Sequence, residues 1–482
     1  MKKLILFSRI LNFTNQNSDK KPLQVNIAVN YQEGFDLNKR SDIFWYPKSG
    51  IKAESVIVYY ENPQMMLDKD AELTAQEFFR KCGFKQIKLW KWKSPIKHGF
   101  KDELIKLKSL KQTNEIEKWL NKNAFSLCKN ILYWSTFFEE HGIKLHYEHS
   151  EFGLESIIKQ IALHNLGGCS LGKLRSYPPT NIKGGFLGYY PYDIFCTWGN
   201  ESAKGILTSN PHIENIILTG FPYCLRNNKT KNDFQNGNNI SRKKFSILLL
   251  DTNNSPNKVL SQTVDSSAMT MFYKKFLDWT RNDQSIELTI KPKKLHFFEN
   301  LNGILEIIED LERTTNRCHL VKDSHGKMAS NFLRDVDMVV SISAFMPSVL
   351  IETVIHGARG VFWDYPNIRL YEPDLYKWGE NKVIFPDLDE MLSRLEIYKN
   401  NHEKYPALGD WSEHLDDIDP FRDNRGGERI GTYMRWLLEG FEQGMDREEN
   451  ILKANQLYAE AWGKDKIFKS TKRITRPISV KP

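Results

Sequence analysis

The residues best suited by type and spacing to do chemistry lie in the run Asp337-Met-Val-Val-Ser-Ile-Ser-Ala-Phe-Met-Pro-Ser-Val-Leu-Ile-Glu352 and its continuation through Gly357 to Asp364. The apolar stretch Met338 to Ile342 reads as a buried strand. A Ser-rich turn with Ser343 follows, then a helix opened by Pro347 and Ser348, then an apolar strand from Gly360 to Trp363. A strand-turn-helix-strand unit of this size is a parallel βαβ element. Its turn lies where a strand ends and a helix begins, and the unpaired N–H groups there favour an anion such as phosphate. Glu352 falls four residues after Ser348 on the same helix face. A carboxylate there can accept hydrogen bonds from ribose hydroxyls, so the spacing points to a nucleotide or nucleotide-sugar site. The plainer alternative is any βαβ unit, with Ser348 an N-cap and Glu352 a solvated surface residue.

Other segments carry chemistry of the same kind. The apolar strand Phe245 to Leu250 ends in the polar turn Asp251-Thr252-Asn-Asn-Ser-Pro256, and ligands collect at strand ends in open α/β sheets. A second strand ends in Lys291, whose ammonium supplies a point charge for phosphate. Lys293 and Lys294 beside it read as a solvated basic turn. The segment Asp419-Pro-Phe-Arg-Asp423-Asn-Arg-Gly-Gly-Glu-Arg429 precedes a long helix. Its Asp423 and Arg429 can orient phosphates or lock two domains together, or simply cap the helix. In the first half, His146, Glu148, His149 and Glu155 cluster after a predicted strand and lead into a helix with Gln160. A carboxylate or His there is the type of group that takes a proton from an attacking hydroxyl. Gly167 to Lys173 nearly matches a phosphate-cradling loop, but Leu174 stands where Ser or Thr must hold Mg²⁺, which excludes an ATPase of that kind. Arg175 just beyond it is a candidate anion contact. No His, Cys or Asp cluster has metal-ligand spacing, so metal-independent chemistry without a cofactor is expected.

The elements that must position these residues alternate between strand and helix. Leu23 to Val29, Ser55 to Tyr60, Ile143 to Tyr147 and Asn215 to Thr219 read as strands. Ala71 to Cys82, Glu115 to Trp134 and Ser156 to Asn165 read as amphipathic helices. After a polar, Asn-rich stretch the rhythm restarts: strands at Phe245 to Leu250, Ile286 to Ile290, Cys318 to Val321 and Val336 to Ile342, with helices between them. The expected divisions are an α/β domain over 1–225, a linker or surface loop over 226–242, a second α/β domain over 243–420, C-terminal helices over 421–465 and a mobile basic tail over 466–482.

The bulk properties narrow the class. The chain has 482 residues, enough for two or three domains, with 40% hydrophobic residues and a net charge of +8. That mild, scattered excess suits an anionic substrate or weak attraction to an acidic membrane surface, and it lacks the concentrated patch of a nucleic-acid binder. Six separate cysteines without a CxxC pair read as core thiols in a reducing compartment. The apolar run near the N-terminus is too short for a signal peptide, and no stretch approaches a membrane span. A cytoplasmic protein is expected, with peripheral contact at the inner membrane face as its limit.

The Ser/Pro turn, the helix with Glu352 and the following Gly357 resemble the nucleotide-sugar-binding half of GT-B glycosyltransferases, in particular those of bacterial surface-carbohydrate and capsule assembly. A more distant resemblance is to CDP-glycerol glycerophosphotransferases. Lys291-Pro292 resembles the Lys-Pro element that meets donor phosphates there. Asp419 to Arg429 resembles their Asp-Pro-Phe-Arg-Asp segment, with Asn424 and Gly426 replacing the usual Gly and Ala. Gln160, the Gly-rich stretch 167–172, Arg175-Ser-Tyr177, Trp198-Gly199 and Thr219-Gly-Phe-Pro222 follow the order of the acceptor-side domain. The resemblance covers roughly residues 140 to 465. It implies two Rossmann-like parallel-sheet domains, with C-terminal helices crossing back to the first. It also implies a nucleotide-sugar donor, a glycan or lipid-linked acceptor, and no nucleic acid. Lys291, Ser343, Pro347, Ser348, Glu352, Asp251, Thr252, Asp423 and Arg429 would face the donor, with Glu148, His146 or His149 as base and Gln160 and Arg175 toward the acceptor. The alternatives left open are a CDP-donor phosphopolyol transferase, a non-catalytic nucleotide-sugar or RNA binder, and an epimerase.

Overall fold

The structure, a computed structural model, describes residues 24–32, 34–37, 40–61, 69–92, 114–148, 153–177, 190–209, 213–223, 244–255, 264–322, 327–343, 347–367 and 373–469. The expected linker 226–242 and His149 lie outside them.

Two open sheets organise the chain. The first is built from β1 (Asn26–Asn30), β2 (Val56–Tyr60), β3 (Lys85–Lys88), β4 (Ile143–Glu148), β5 (Cys169–Lys173), β6 (Ile194–Thr197) and β7 (Asn215–Leu218), in the order β7-β6-β5-β4-β1-β2-β3, all parallel. The short strands β9 (Asn254–Ser255) and β10 (Val264–Asp265) pair separately. The second sheet takes β8 (Phe245–Leu250), β11 (Ile286–Lys291), β12 (Cys318–Leu320), β13 (Met338–Ser343), β14 (Gly360–Asp364) and β15 (Ile384–Phe385), in the order β12-β11-β8-β13-β14-β15, again all parallel. Each order runs outward from its first strand to one side and then jumps back to build the other side. The jump leaves a switch point between β1 and β4 in one sheet and between β8 and β13 in the other.

Buried parallel strands read as continuous apolar runs because helices cover both faces. Phe245–Leu250 and Met338–Ser343 fit this, with Ile247, Leu249, Val340 and Ile342 in a core against Met269, Phe272, Phe276, Ile304 and Ile308 of the covering helices. The first sheet packs Ala28, Ile57 and Tyr59 against Ile131, Trp134, Phe137 and Phe138 of the helix Glu115–Glu140. On its other face, Val58, Leu145 and Tyr147 meet Ile430, Tyr433, Met434, Leu437 and Phe441 from the helix Gly426–Glu442. The C-terminal helices therefore return to the first sheet, and the layout is the GT-B-like one of two Rossmann-like sheets with a crossing back. Gly431 permits the close approach, since a Cβ there would stand 2.2 Å from the Trp45 carbonyl oxygen.

Three details differ from the sequence expectation. Residues 167–173, expected as a Gly-rich loop, contain the buried strand β5. Its glycines serve packing: a Cβ on Gly172 would lie 2.6 Å from the Tyr192 ring, and one on Gly168 2.7 Å from the Lys144 carbonyl. The polar edge strand β3 follows no apolar pattern. Ile467–Lys469, expected at the start of the tail, form β16, which pairs antiparallel with β7 and covers that sheet edge. Among the described residues no helix is long and apolar enough to cross a membrane.

Candidate functional site

At the carboxyl end of the second sheet, β8 delivers Asp251, β11 delivers Lys291 and β13 delivers Ser343. Asp251 is buried. Its Oδ2 accepts the Tyr273 hydroxyl at 2.9 Å and its Oδ1 accepts the Lys293 N–H. Burial drives the carboxyl up to about 6, against the pull of those hydrogen bonds and of Lys291 and Lys293. Lys291 is 9% exposed. Desolvation lowers its pKa, with Glu352 and Asp251 opposing and Arg40 adding to the fall. Lys293 is exposed by area yet hemmed in enough for its pKa to fall too. Arg40 and Arg175, both from the first half, contribute to that fall. The charges of cations from both halves therefore act on these strand ends.

The turn after β13 carries the second set of expected donor residues. Pro347 is the N-cap of the helix Ser348–Ile355, without a side-chain cap. Ser348 is thus not the cap; its Oγ accepts the Tyr177 N–H at 3.1 Å, tying the helix start to the first half. Glu352, expected at the ribose, is enclosed at 2% exposure, and its Oε1 accepts both the N–H and the hydroxyl of Ser330, at 3.1 and 2.8 Å. It sits deeper than a carboxylate lying open to a ribose. Ser343 is buried and Thr252 is half-buried beside Asp251. Residues 344–346 lie outside the described residues.

Asp423 and Arg429 go elsewhere. Arg429 donates to both Asp423 oxygens and to the Thr219 carbonyl, and its guanidinium stacks 3.5 Å from the Phe421 ring centroid. Asp419 accepts the N–H groups of Phe221, Phe421 and Arg422 at 2.9 to 3.0 Å. The segment expected to face the donor is a lock between the crossing chain and the loop after β7.

At the switch point of the first sheet the structure assembles a cluster that the sequence only half discloses. Lys159, 1% exposed, donates to Glu148 Oε1 at 2.7 Å and to Glu61 Oε1. Asn30 donates from Nδ2 to the same two oxygens, at 3.2 and 2.9 Å. The Lys159 ammonium also lies 4.7 Å from the Trp134 ring centroid. Burial alone would push Glu148 up, but the charge of Lys159 and the hydrogen bonds from Lys159 and Asn30 hold its carboxyl below the usual range. Lys159 is correspondingly raised by both carboxylates against its own desolvation. His146, expected as a base, is buried between the Tyr59 and Phe138 rings with Nε2 2.8 Å from the Tyr59 hydroxyl. Desolvation, helped by Lys159 and opposed by Glu148, lowers it to about 3, so it is a neutral buttress closed to solvent. Glu155 accepts the Trp134 indole N–H at 2.9 Å. Gln160 is half-buried on the same helix, and Arg175 is exposed past the end of β5.

Lys159, Glu61, Asn30, Arg40 and Tyr273 escaped the sequence reading. Lys159 alone left a signal: it interrupts Ile157-Ile158-Lys159-Gln160-Ile161 on the face shared by Ser156 and Leu163, where an ammonium needs a buried partner. Among the described residues no group of three or more His, Cys, Asp or Glu side chains could hold a metal ion.

No protein-family model matches the chain, and no curated protein matches its sequence. Among solved structures it is similar to Anabaena HepE in complex with UDP and glucose, at 9% identity over 91% of this chain and 99% of that one, with a TM-score of 0.42. It is similar to a glycosyltransferase from Rickettsia africae at 12% identity over 92% of this chain and 99% of that one, TM-score 0.43. MurG of Acinetobacter baumannii gives 10% identity over 86% and 99%, TM-score 0.45.

Proposed function

We propose that the chain is a GT-B-type glycosyltransferase. It takes a sugar from a nucleotide-activated donor at the carboxyl end of the second sheet and passes it to a surface-polysaccharide, glycan or lipid-linked acceptor at the first. The observation that carries this reading is the buried Lys291 and neighbouring Lys293 at the strand ends beside Asp251, both lowered by desolvation and by the charge of Arg40, with Arg175 adding to the fall of Lys293. A diphosphate entering there supplies the countercharge that desolvation denies the lysines, and the same cations balance the charge of the leaving nucleoside diphosphate without a metal. Glu148, ionised at the facing switch point, is the group offered to the acceptor hydroxyl. His146, closed off and neutral, takes no direct part.

The test is calorimetry with UDP-, GDP-, CMP-, CDP- and dTDP-linked ligands, CDP-glycerol included, on the wild type and on Glu352→Ala. One nucleotide class is expected to bind. Glu352→Ala should weaken it by about 1–3 kcal/mol, because the helix Ser348–Ile355 that opens at the site loses its buried tie to the N–H and hydroxyl of Ser330. Binding of no ligand sinks the reading, and selective binding of CDP-glycerol turns it into phosphopolyol transfer.

A further inference from the structure

The cluster at the first switch point has an internal asymmetry that structural ion pairing does not require. Lys159 and Asn30 both engage Glu148 through Oε1 alone. Among the described residues Glu148 Oε2 and Asn30 Oδ1 are buried and have no hydrogen-bond partner, in side chains 3% and 1% exposed. An acceptor left buried and unpaired forgoes the hydrogen bonds it had in water. Two of them share one network at the carboxyl ends of β1 and β4, where an open α/β sheet takes its ligand. The charge count says what kind of ligand fits. Glu148 and Glu61 share the one ammonium of Lys159; the buried Glu148 is balanced by it, and the surplus negative charge lies on Glu61. Glu61, 27% exposed, is the edge where the cluster meets water. A neutral hydrogen-bond donor is therefore matched, and two acceptor oxygens match two hydroxyls.

We propose that Lys159 is the positioning residue of an acceptor site. Its ammonium clamps Glu148 and Glu61 by one oxygen each, and Glu148 Oε2 and Asn30 Oδ1 receive hydroxyls of a carbohydrate or polyol. This rests on the transferase reading above and names the acceptor class for it. No bond is made or broken in the binding step. Lys159 acts through Glu148, keeping it an unprotonated acceptor. The other ionisable or polar groups facing the cluster are His146 on β4, Tyr59 on β2, Glu155 on the helix that carries Lys159, Tyr133 on the helix Glu115–Glu140 and Tyr192 before β6. Among the described residues none of these is a permanent cation; His146 also favours the ionised Glu148 but is itself held neutral, so removing Lys159 takes away the buried ammonium that Glu148 pairs with.

The experiment is carboxyl-carbon NMR of the full chain labelled at glutamate, with Glu148 and Glu61 assigned through Glu148→Gln and Glu61→Gln. The hydroxyl probes are methyl α-glucoside and glycerol, and the control is the fully O-methylated glucoside. In the wild type and Lys159→Arg, the Glu148 line should titrate below the ordinary glutamate range and should move with both probes but not with the control. In Lys159→Met its titration midpoint should rise by more than ~1 pH unit, as an uncompensated buried carboxyl does, and the probe response should vanish. A midpoint unchanged by Lys159→Met overturns the positioning role. A wild-type line indifferent to both probes overturns the hydroxyl site and leaves a structural ion pair only. Should Lys159→Met fail to fold, the Lys159 Nζ–H signal of the wild type decides the same point. It is expected to shift at the Glu148 midpoint, and an Nζ signal insensitive to that midpoint overturns the clamp. These readouts need neither donor nor turnover. Failure of the donor panel with responsive carboxyl lines would therefore strike the transferase reading alone.

Discussion

The two sheets share one strand order and have opposite electrostatics at their switch points. In the first, Glu148 and Lys159 each lower the other's cost of being charged, and both are held more firmly ionised than in water. In the second, Asp251 is pushed up and Lys291 and Lys293 are pushed down, so acid and bases alike are driven toward neutrality. A site that has satisfied its own charges asks its ligand for hydrogen-bond geometry. A site whose charges are under-compensated asks for countercharge. The contrast fits the proposed reading, in which one sheet takes an uncharged, hydroxylated partner and the other an anionic one.

The contrast breaks most readily at Lys159. Lys159→Met should destabilise the chain by about 3–5 kcal/mol, since it strands Glu148 as a lone buried charge. The double variant Lys159→Met with Glu148→Leu should recover most of that loss, because replacing a whole buried pair by apolar groups is near neutral. Urea unfolding measures both, and equal losses in the single and double variants would show that packing, not charge, holds this corner.

Asp251 tests the other half. Its folded-state carboxyl, at about 6, lies above the ordinary value of 3.8, so the folded chain holds this proton more tightly than the unfolded one. The stability it contributes is present below about 4 and is lost as pH rises through 6. By roughly 1.4 kcal/mol per unit, the loss reaches about 3 kcal/mol at pH 8. Asp251→Asn keeps an acceptor for the Lys293 N–H and a polar group for Tyr273, and it should remove that slope. Urea midpoints between pH 4.5 and 8 should converge at the acid end and part toward pH 8; parallel curves would refute the raised carboxyl.

Lys291→Met sharpens the comparison because stability and binding should move in opposite directions. Removing a desolvated ammonium should leave the unliganded chain no less stable, whereas affinity for the nucleotide ligand should fall by about 1.5–3 kcal/mol with the loss of a charge-assisted contact. Thermal unfolding alongside calorimetry checks the pair of signs.

The same contrast explains what the sequence disclosed. The strand ends of the second site are locally legible, since the apolar runs of Phe245–Leu250 and Met338–Ser343 announce the strands whose ends carry Asp251 and Ser343, whereas Arg40 and Tyr273 act there from afar in sequence and are not. The first site is not local. Asn30 and Glu148 meet across 118 positions and Lys159 and Glu61 across 98, so no periodicity in one sequence reports their pairing. The fold shows the same limit. Alternating apolar runs disclosed most strands, whereas β3 is a polar edge and β5 is made a strand by Tyr192 packing over Gly172. Asp423 and Arg429 were legible as a pair, but their partner, the Thr219 carbonyl, lies 210 positions away from Arg429.

The smallest predicted effect concerns how the two sites are held in register. The Tyr177 N–H, between the first sheet and the second, has the Ser348 hydroxyl as its acceptor, and Tyr177 itself is buried in the apolar cluster that spans both halves. Ser348→Ala removes the acceptor without adding bulk, so a buried N–H loses its partner at a cost of about 1 kcal/mol. If the two halves moved independently, that loss would stay at Tyr177. Because Leu174, Tyr177 and Trp198 pack with Leu350 and Ile351 in one cluster, the opening should be shared. Amide exchange should quicken several-fold both at Tyr177 and at Leu350 to Ile351, as about 1.4 kcal/mol per tenfold requires. Quickening at Tyr177 alone would mean that the cluster does not couple the first sheet to the helix Ser348–Ile355.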